Sequence, residues 1–170
     1  MNRLMTLLPV AALFPIAFLG QVKHVTSNSQ EPVVLASISN TLFRYAYATD
    51  VPNPGILGDT FTEDAVLEAT VATGVQQIPH MIGRKGIVDT VMKQRAADND
   101  SRRHQIDNIW IESLDGKQAK VHAYYVLTVM KGSTPSLQST GSYDFDMIQE
   151  PDGVWRIQHE VVLLDAPAFK

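Results

Sequence analysis

The sequence predicts an α+β domain in which N-terminal helices cover one face of a curved, mainly antiparallel sheet. Apolar residues recur at helical spacing in the first half of the chain, alternate with polar residues in the second half, and the alternating segments are joined by turns. Helices followed by a run of strands are typical of an α+β fold. The 170 residues, 45% hydrophobic and 19% charged, suffice for one domain with its own core.

The first 20 residues differ from the rest of the chain. Arg3 gives the N-terminal end a positive charge, and the residues from Leu4 to Gly20 are almost wholly apolar. This layout is typical of a secretory signal peptide, whose apolar core is shorter than a membrane-spanning helix. We therefore expect a secreted or periplasmic protein. The apolar run also lies at the lower limit for spanning a bilayer, so an N-terminal membrane anchor is the alternative.

A polar linker is predicted over residues 21–31, and the domain itself over residues 32–170. The domain begins with a helix from Pro32 to Thr49, because proline is favoured in the first turn and one apolar stripe recurs at three- and four-residue spacing. The stripe consists of Leu35, Ile38, Leu42, Tyr45, Ala46 and Thr49. Pro52 and Pro54 end the helix.

Two side chains near the end of this helix are candidates for function. Tyr45 lies on the apolar stripe, and Asp50 lies at the C-terminal end, where the helix dipole disfavours a carboxylate. A carboxylate in that position requires a partner or a function. The structural alternatives are a core tyrosine and an aspartate that starts the turn before Pro52.

The middle of the chain is predicted to contain short elements. Residues 54–61 form a short helix, and residues 61–69 pass through a turn into a strand. A polar loop that carries His80 then leads to an amphipathic helix, which starts after Gly83 and ends near Ala97. The spacing of Gly83 and Gly86 is too common to indicate a phosphate-binding loop.

Four strands follow, and their alternation assigns the faces of the sheet. They are predicted over residues 103–112, 118–130, 139–149 and 154–164, with an Asp-Gly hairpin turn after the first and a longer turn over residues 131–138. The first strand sends His104, Ile106, Asn108 and Trp110 to one face, and the last sends Trp155, Ile157, His159, Val161 and Leu163 to one face. A mostly apolar face with a few polar groups is typical of the wall of a ligand pocket.

Composition excludes several classes of function. The net charge of -4 and the absence of a basic patch argue against nucleic acid as a partner. The chain has no cysteine, so disulfides, thiolate nucleophiles and cysteine-containing zinc sites are excluded. His80, His104, His122 and His159 lack metal-ligand spacing, and no serine lies in a nucleophile-elbow context, so neither a metal nor a serine nucleophile is predicted.

Several short motifs occur in order along the chain. They are Tyr45-x4-Asp50, Phe61-Thr62-x-Asp64-Ala65-Val66, His104-x3-Asn108, Asp115-Gly116, Gly141-x-Tyr143-Asp144 and Asp152-Gly153-x-Trp155-Arg156-Ile157. In order and spacing the chain resembles the SnoaL-like domains of the nuclear transport factor 2-like superfamily from Leu35 to Asp165. Within that group it is most similar to the branch that includes scytalone dehydratase and bile acid dehydratase.

The resemblance implies a cone-shaped α+β barrel with a deep, mainly apolar pocket. It assigns an acid–base pair to Asp50 and His104 and a contact with the substrate oxygen to Tyr45. The residues predicted to bind the substrate are Asn108, Trp110, Tyr125, Tyr143 and His159. Members of the branch often carry an arginine where this chain has His159 and Glu160. The resemblance further implies a homodimer.

Three functions remain open at this point. The first is a cofactor-free dehydratase, isomerase or cyclase that acts on a small hydrophobic, oxygenated molecule. The second is a non-catalytic module that binds such a molecule in the same pocket, and the third is an interaction domain with a filled cone. A membrane is a partner only if the N-terminal segment is retained.

Overall fold

The computed structural model describes residues 31–72, 76–98 and 100–166. The predicted signal peptide or anchor and most of the predicted linker lie outside these residues. Within the described ranges, no helix combines the length and apolar character needed to cross a membrane.

Three helices and six strands make up the described chain. The elements are α1 (Glu31–Asp50), α2 (Pro54–Asp59), β1 (Phe61–Val71), β2 (Gln76–Ile82), α3 (Arg84–Ala97), β3 (Ser101–Asp115), β4 (Gln118–Lys131), β5 (Thr134–Gln149) and β6 (Trp155–Leu164). The predicted stripe of α1 is buried from Ile38 to Thr49. The α2 helix begins where the Asn53 side chain accepts a hydrogen bond from the Ile56 N–H at 3.0 Å.

The six strands form one sheet in the order β2-β1-β6-β5-β4-β3. All neighbouring strands are antiparallel except β1 and β6, which are parallel. The α1 helix packs on β3, and α3 packs on β1 and β2, so the helices cover one face of the sheet. The predicted α+β class is confirmed.

The core lies between the helices and the covered face of the sheet. Fully buried side chains from both layers meet there, among them Ile38, Leu42, Ile87, Phe61, Phe145 and Ile157. Alternation along β4 and β5 sends every second residue inward, as predicted.

Two predictions about the connections were wrong. The loop predicted around His80 contains β2, which pairs with β1. The turn predicted over residues 131–138 contains only two residues, because Gly132 adopts a left-handed φ of 62° and permits a tight hairpin. Pro135 therefore lies inside β5, in a part of the strand that pairs only with β4 and so tolerates a missing donor.

Two β-bulges change which side chains face the core. On β3, Asp107 pairs with Tyr124 and Trp110 pairs with His122, so β3 has one extra residue between these pairs. On β6, Gln158 is the extra residue, because His159 pairs with Asp146 and Ile157 pairs with Met147. An extra residue reverses the facing of the residues beyond it, and on β3 this reversal extends to a second register shift between Ile111 and Ser113. The faces predicted for Asn108, Trp110 and the last half of β6 were therefore wrong.

Candidate active site

Asp50 and His104 form the polar centre of the site. The Asp50 Oδ1 atom lies 2.7 Å from His104 Nδ1, and the His104 backbone N–H donates to Oδ1 at 3.1 Å and to Oδ2 at 3.0 Å. The two side chains are only 7% and 11% exposed. An ionised carboxylate only accepts hydrogen bonds, so the contact with Asp50 favours the tautomer that carries a proton on Nδ1 and leaves Nε2 as the acceptor.

His104 forms part of the wall of a cavity of about 420 Å³. Cavities of this size hold small organic ligands. The wall is apolar over much of its area, through side chains that include Leu67, Met81, Val91, Leu127, Val162 and Leu164. Its polar groups are concentrated in His104, three tyrosines and a set of charged residues at the end of α3.

The three tyrosines are Tyr45, Tyr125 and Tyr143, and all three line the cavity. The Tyr45 and Tyr143 rings meet edge to face at 6.2 Å, and the Tyr125 and Tyr143 rings lie 4.7 Å apart. Burial, together with the nearby Glu160 carboxyl, raises the pKa of both Tyr45 and Tyr143 well above the ordinary value of 10.0. Both hydroxyls are therefore neutral and able to donate a hydrogen bond near neutral pH.

Glu160 lies behind Tyr45 and is fully buried. Its Oε1 atom is 2.8 Å from the Tyr45 hydroxyl oxygen, and among the described residues its Oε2 atom has no hydrogen-bond partner. Burial raises the pKa of Glu160 from 4.5 to about 8, although the hydrogen bond with Tyr45 lowers it. This shift favours the protonated form of the side chain at neutral pH.

A group of four charged side chains holds the end of α1 near β3. Arg95 of α3 donates to the Thr49 carbonyl at 3.0 Å and to Asp98 and Asp100 at 3.1 Å each. Arg102 of β3 donates to the same two aspartates. The Arg95 charge also offsets the negative end of the α1 dipole beside Asp50. This network fixes the residue before Asp50 to the strand that carries His104.

Three of the predicted substrate-binding residues lie outside the cavity. Asn108 and Trp110 lie on the outer face of the sheet because of the β3 bulge, and Trp110 stacks on His122 at 4.7 Å. His159 faces outward because of the β6 bulge, and its Nε2 atom lies 3.2 Å from Glu68 Oε1. The structure does bring the other predicted site residues together, namely Tyr45, Asp50, His104, Tyr125 and Tyr143.

Sequence reasoning missed several residues in the cavity wall and beside it. Glu160 was noted only as a departure from a common arginine, because regular alternation placed it on the outer face. Ser139 was predicted only as the first residue of a strand, and its place in the wall of the cavity was not predicted. The sequence of residues 98–101 predicts only a segment that breaks the preceding helix. Asp98 and Asp100, followed by Arg102, were the available signal for an ion-pair network, in which Arg95 of α3 also takes part.

The curved sheet, the covering helices and the cavity between them define an α+β domain of the nuclear transport factor 2-like class. A family model for the SnoaL-like domain matches residues 34–160, and the chain belongs to this family. No curated protein matches the chain significantly in sequence.

Several solved structures share the fold. The beta subunit of a candidate aromatic-ring-hydroxylating dioxygenase from Novosphingobium aromaticivorans DSM 12444 has a TM-score of 0.71 and 18% identity, over 82% of this chain and 94% of that chain. A Catenulispora acidiphila protein in complex with S-DNPA has a TM-score of 0.68 and 18% identity, over 79% and 95%. A candidate scytalone dehydratase from Novosphingobium aromaticivorans DSM 12444 has a TM-score of 0.66 and 18% identity, over 81% and 87%.

Proposed function

We propose that this protein is a cofactor-free acid–base enzyme that dehydrates or isomerises a small hydrophobic, oxygenated molecule. The observation that carries the proposal is His104, whose ring is fixed through Nδ1 by Asp50 and which forms part of the wall of a mainly apolar cavity. Within the described residues no hydrogen bond occupies Nε2. This nitrogen is the base.

The first step is removal of a proton from the carbon next to a carbonyl group. Nε2 takes the proton, and the electron pair of the broken C–H bond forms an enolate. The buried Asp50 carboxylate stabilises the imidazolium that results. The Tyr45 hydroxyl stabilises the developing negative charge on the carbonyl oxygen, and such a hydrogen bond is strongest in a site without water.

The second step determines the reaction type. In a dehydration, the imidazolium returns its proton to a hydroxyl group on the β-carbon, the C–O bond breaks, and water leaves as a carbon–carbon double bond forms. In an isomerisation, the proton returns to a different carbon. Each general acid–base step contributes about 10²- to 10⁴-fold to the rate.

The test uses proton exchange, because it reports the first step for either reaction. The probes are 2-tetralone and bicyclic β-hydroxy ketones in D₂O, with deuterium uptake at the α-carbon and loss of water followed by NMR. We expect exchange by the wild type and a loss of at least about 100-fold in His104→Gln. His122→Gln is the matched control, since His122 is a strand histidine on the outer face and should exchange at the wild-type rate.

Equal exchange by the wild type and His104→Gln would contradict the proposal. Binding of these ketones without any exchange would favour the alternative, a module that holds an apolar ligand. The complex of the Catenulispora acidiphila protein with S-DNPA is consistent with ligand binding by this fold.

A further inference from the structure

We propose that Glu160 is a positioning residue, held as a neutral carboxylic acid. It donates its proton to the Tyr45 hydroxyl oxygen, so the Tyr45 proton remains available for the oxygen of the substrate. The inference rests on the proposed function, because it explains how the same site stabilises an enolate. It resolves a conflict in hydrogen bonding. A tyrosine hydroxyl carries a single proton, and Tyr45 could not donate it to an ionised Glu160 and to a substrate at once.

The position of Glu160 favours the neutral form. The β6 bulge turns this side chain inward, where it is fully buried at 2.8 Å from the Tyr45 hydroxyl. One of its two oxygens has no hydrogen-bond partner among the described residues. An ionised carboxylate in that situation lacks compensation for its lost hydration, whereas a neutral acid has a much smaller desolvation cost.

The described residues that face Glu160 carry no positive charge. The facing titratable groups are Tyr45 on α1 and Tyr143 on β5, and both are neutral. The residues paired with Glu160 are Leu67 on β1 and Phe145 on β5, which carry no charge. In the described part of the chain, no Lys, Arg or His forms an ion pair with Glu160.

The neutral acid also sets the direction of a chain of hydrogen bonds. The Tyr45 and Glu160 oxygens are 2.8 Å apart. An ionised Glu160 would accept the Tyr45 proton across this contact, whereas in the proposed neutral state Glu160 donates and Tyr45 donates to the substrate oxygen. Each bond in such a chain strengthens the next. Once Glu160 ionises, it only accepts hydrogen bonds, so the Tyr45 proton turns away from the cavity. The negative charge of Glu160 then also opposes the enolate.

The first experiment measures the protonation of Glu160 without any substrate. The full chain is labelled with ¹³C at the glutamate side-chain carboxyl and titrated by NMR as wild type, Glu160→Gln and Tyr45→Phe. We expect one resonance that is absent from Glu160→Gln, titrates near pH 8 and moves in Tyr45→Phe. If Glu160→Gln does not fold, the shift in Tyr45→Phe still identifies this resonance. A Glu160 resonance that titrates in the acidic range with the other glutamates overturns the inference.

The second experiment measures α-proton exchange of 2-tetralone as a function of pH. Glu160→Met, which has a similar length but no donor, should exchange at least about tenfold more slowly than Glu160→Gln, whose amide can still donate. The wild-type rate should fall above about pH 8, and the rate of Glu160→Gln should not. Equal rates for the Met and Gln variants would mean that Glu160 only fills space, which overturns the inference.

The two experiments separate this inference from the proposed function. Titration of Glu160 near pH 8 without exchange by the wild type supports the hydrogen-bonding role of Glu160 and contradicts the enzyme. Titration in the acidic range with His104-dependent exchange overturns the role of Glu160 and leaves the enzyme supported.

Discussion

Asp50 binds His104 at two points, because its carboxylate accepts hydrogen bonds from both the ring Nδ1 and the backbone N–H of the same residue. The aspartate is the last residue of α1, and the histidine lies near the start of β3. The contact therefore orients the imidazole and also ties the helix to an edge strand of the sheet. It explains how a carboxylate is tolerated at the unfavourable end of a helix.

Replacement of Asp50 by alanine should destabilise the fold. The variant leaves two largely buried donors on His104 without partners, which costs about 1–3 kcal/mol. Relief of the unfavourable dipole interaction returns only about 0.3–1 kcal/mol. We therefore expect a net loss of about 1–2 kcal/mol in the free energy of unfolding, measured by urea denaturation.

Asp59→Ala is the control for this prediction. Asp59 is also an acidic residue at the end of a helix and also has a partner, Arg44, at 3.4 Å, but its side chain is 62% exposed. Exposed ion pairs contribute little, so a change below about 0.5 kcal/mol is expected. Equal losses of unfolding free energy in the two variants would show that the Asp50 contact contributes no more than an exposed ion pair.

Glu160 should make stability depend on pH. The pKa of its carboxyl is about 8 in the folded chain and 4.5 ordinarily, so the folded state binds more protons between these two values. Stability therefore falls as the pH rises from about 4.5 to about 8, by about 3 kcal/mol at pH 7, and changes no further above pH 8. Glu160→Gln lacks this titration.

The measurement is the free energy of unfolding of the wild type and Glu160→Gln in urea at several values from about pH 5 to about pH 8. We expect the variant to gain stability relative to the wild type with each step in pH. The growth of this difference in unfolding free energy with pH is diagnostic, because it does not depend on the hydrogen bond that the substitution changes. Parallel curves for the two proteins would contradict the raised pKa of Glu160.

Gly141 is required where β5 passes β6 beside the tyrosines. A Cβ atom at this position would lie 2.1 Å from the Leu163 carbonyl oxygen and 2.8 Å from Tyr125 Cε1. Because backbone cannot yield as a flexible side chain does, Gly141→Ala should destabilise the fold by about 3 kcal/mol, measured as a lower Tm by calorimetry. We also expect weaker binding of 2-tetralone, since Tyr125 lines the cavity.

Gly86→Ala is the matched control. Gly86 lies in the first turns of α3, and a Cβ atom there meets nothing within 4 Å. Alanine is the better helix former, so a gain of about 0.5–1 kcal/mol is expected. A loss of stability in this variant would show that the space around Gly86 is occupied.

The elements and the catalytic candidates could be predicted from the sequence because they follow local rules. The stripe of α1 has helical spacing, β4 and β5 alternate regularly, and the Asp50 carboxylate is anomalous where it stands. The faces of β3 and β6 could not be predicted beyond Asp107 and Ile157, because a bulge depends on strand pairing rather than on local composition. These bulges move Asn108, Trp110 and His159 out of the site and bring Glu160 into it.

The bulge of β3 leaves one testable trace in the backbone, at Asn108. This residue has a φ of 50°, which among non-glycine residues is tolerated best by asparagine and aspartate. Asn108→Val should cost about 1–2 kcal/mol of unfolding free energy, because a β-branched side chain is strained there. Asn108→Gly should stay within about 0.5 kcal/mol of the wild type, because glycine adopts this conformation freely.

Tryptophan fluorescence shows whether the bulge survives in Asn108→Val. Trp110 is 53% exposed beyond the bulge, and Trp155 is buried. If the bulge were lost, Trp110 would turn inward, and the emission would shift to shorter wavelength. We expect the emission to stay unchanged, because the rest of β3 and β4 fixes the register and strain at one residue is smaller than the cost of reversing a face.

Asp107→Val is the control, because it lies at an exposed neighbouring position without a positive φ, and its effect on the free energy of unfolding should be near zero. Unchanged stability of Asn108→Val together with a shift in emission would mean that the bulge depends on Asn108 itself, and the pairing on either side would then not suffice to hold Trp110 outside the cavity.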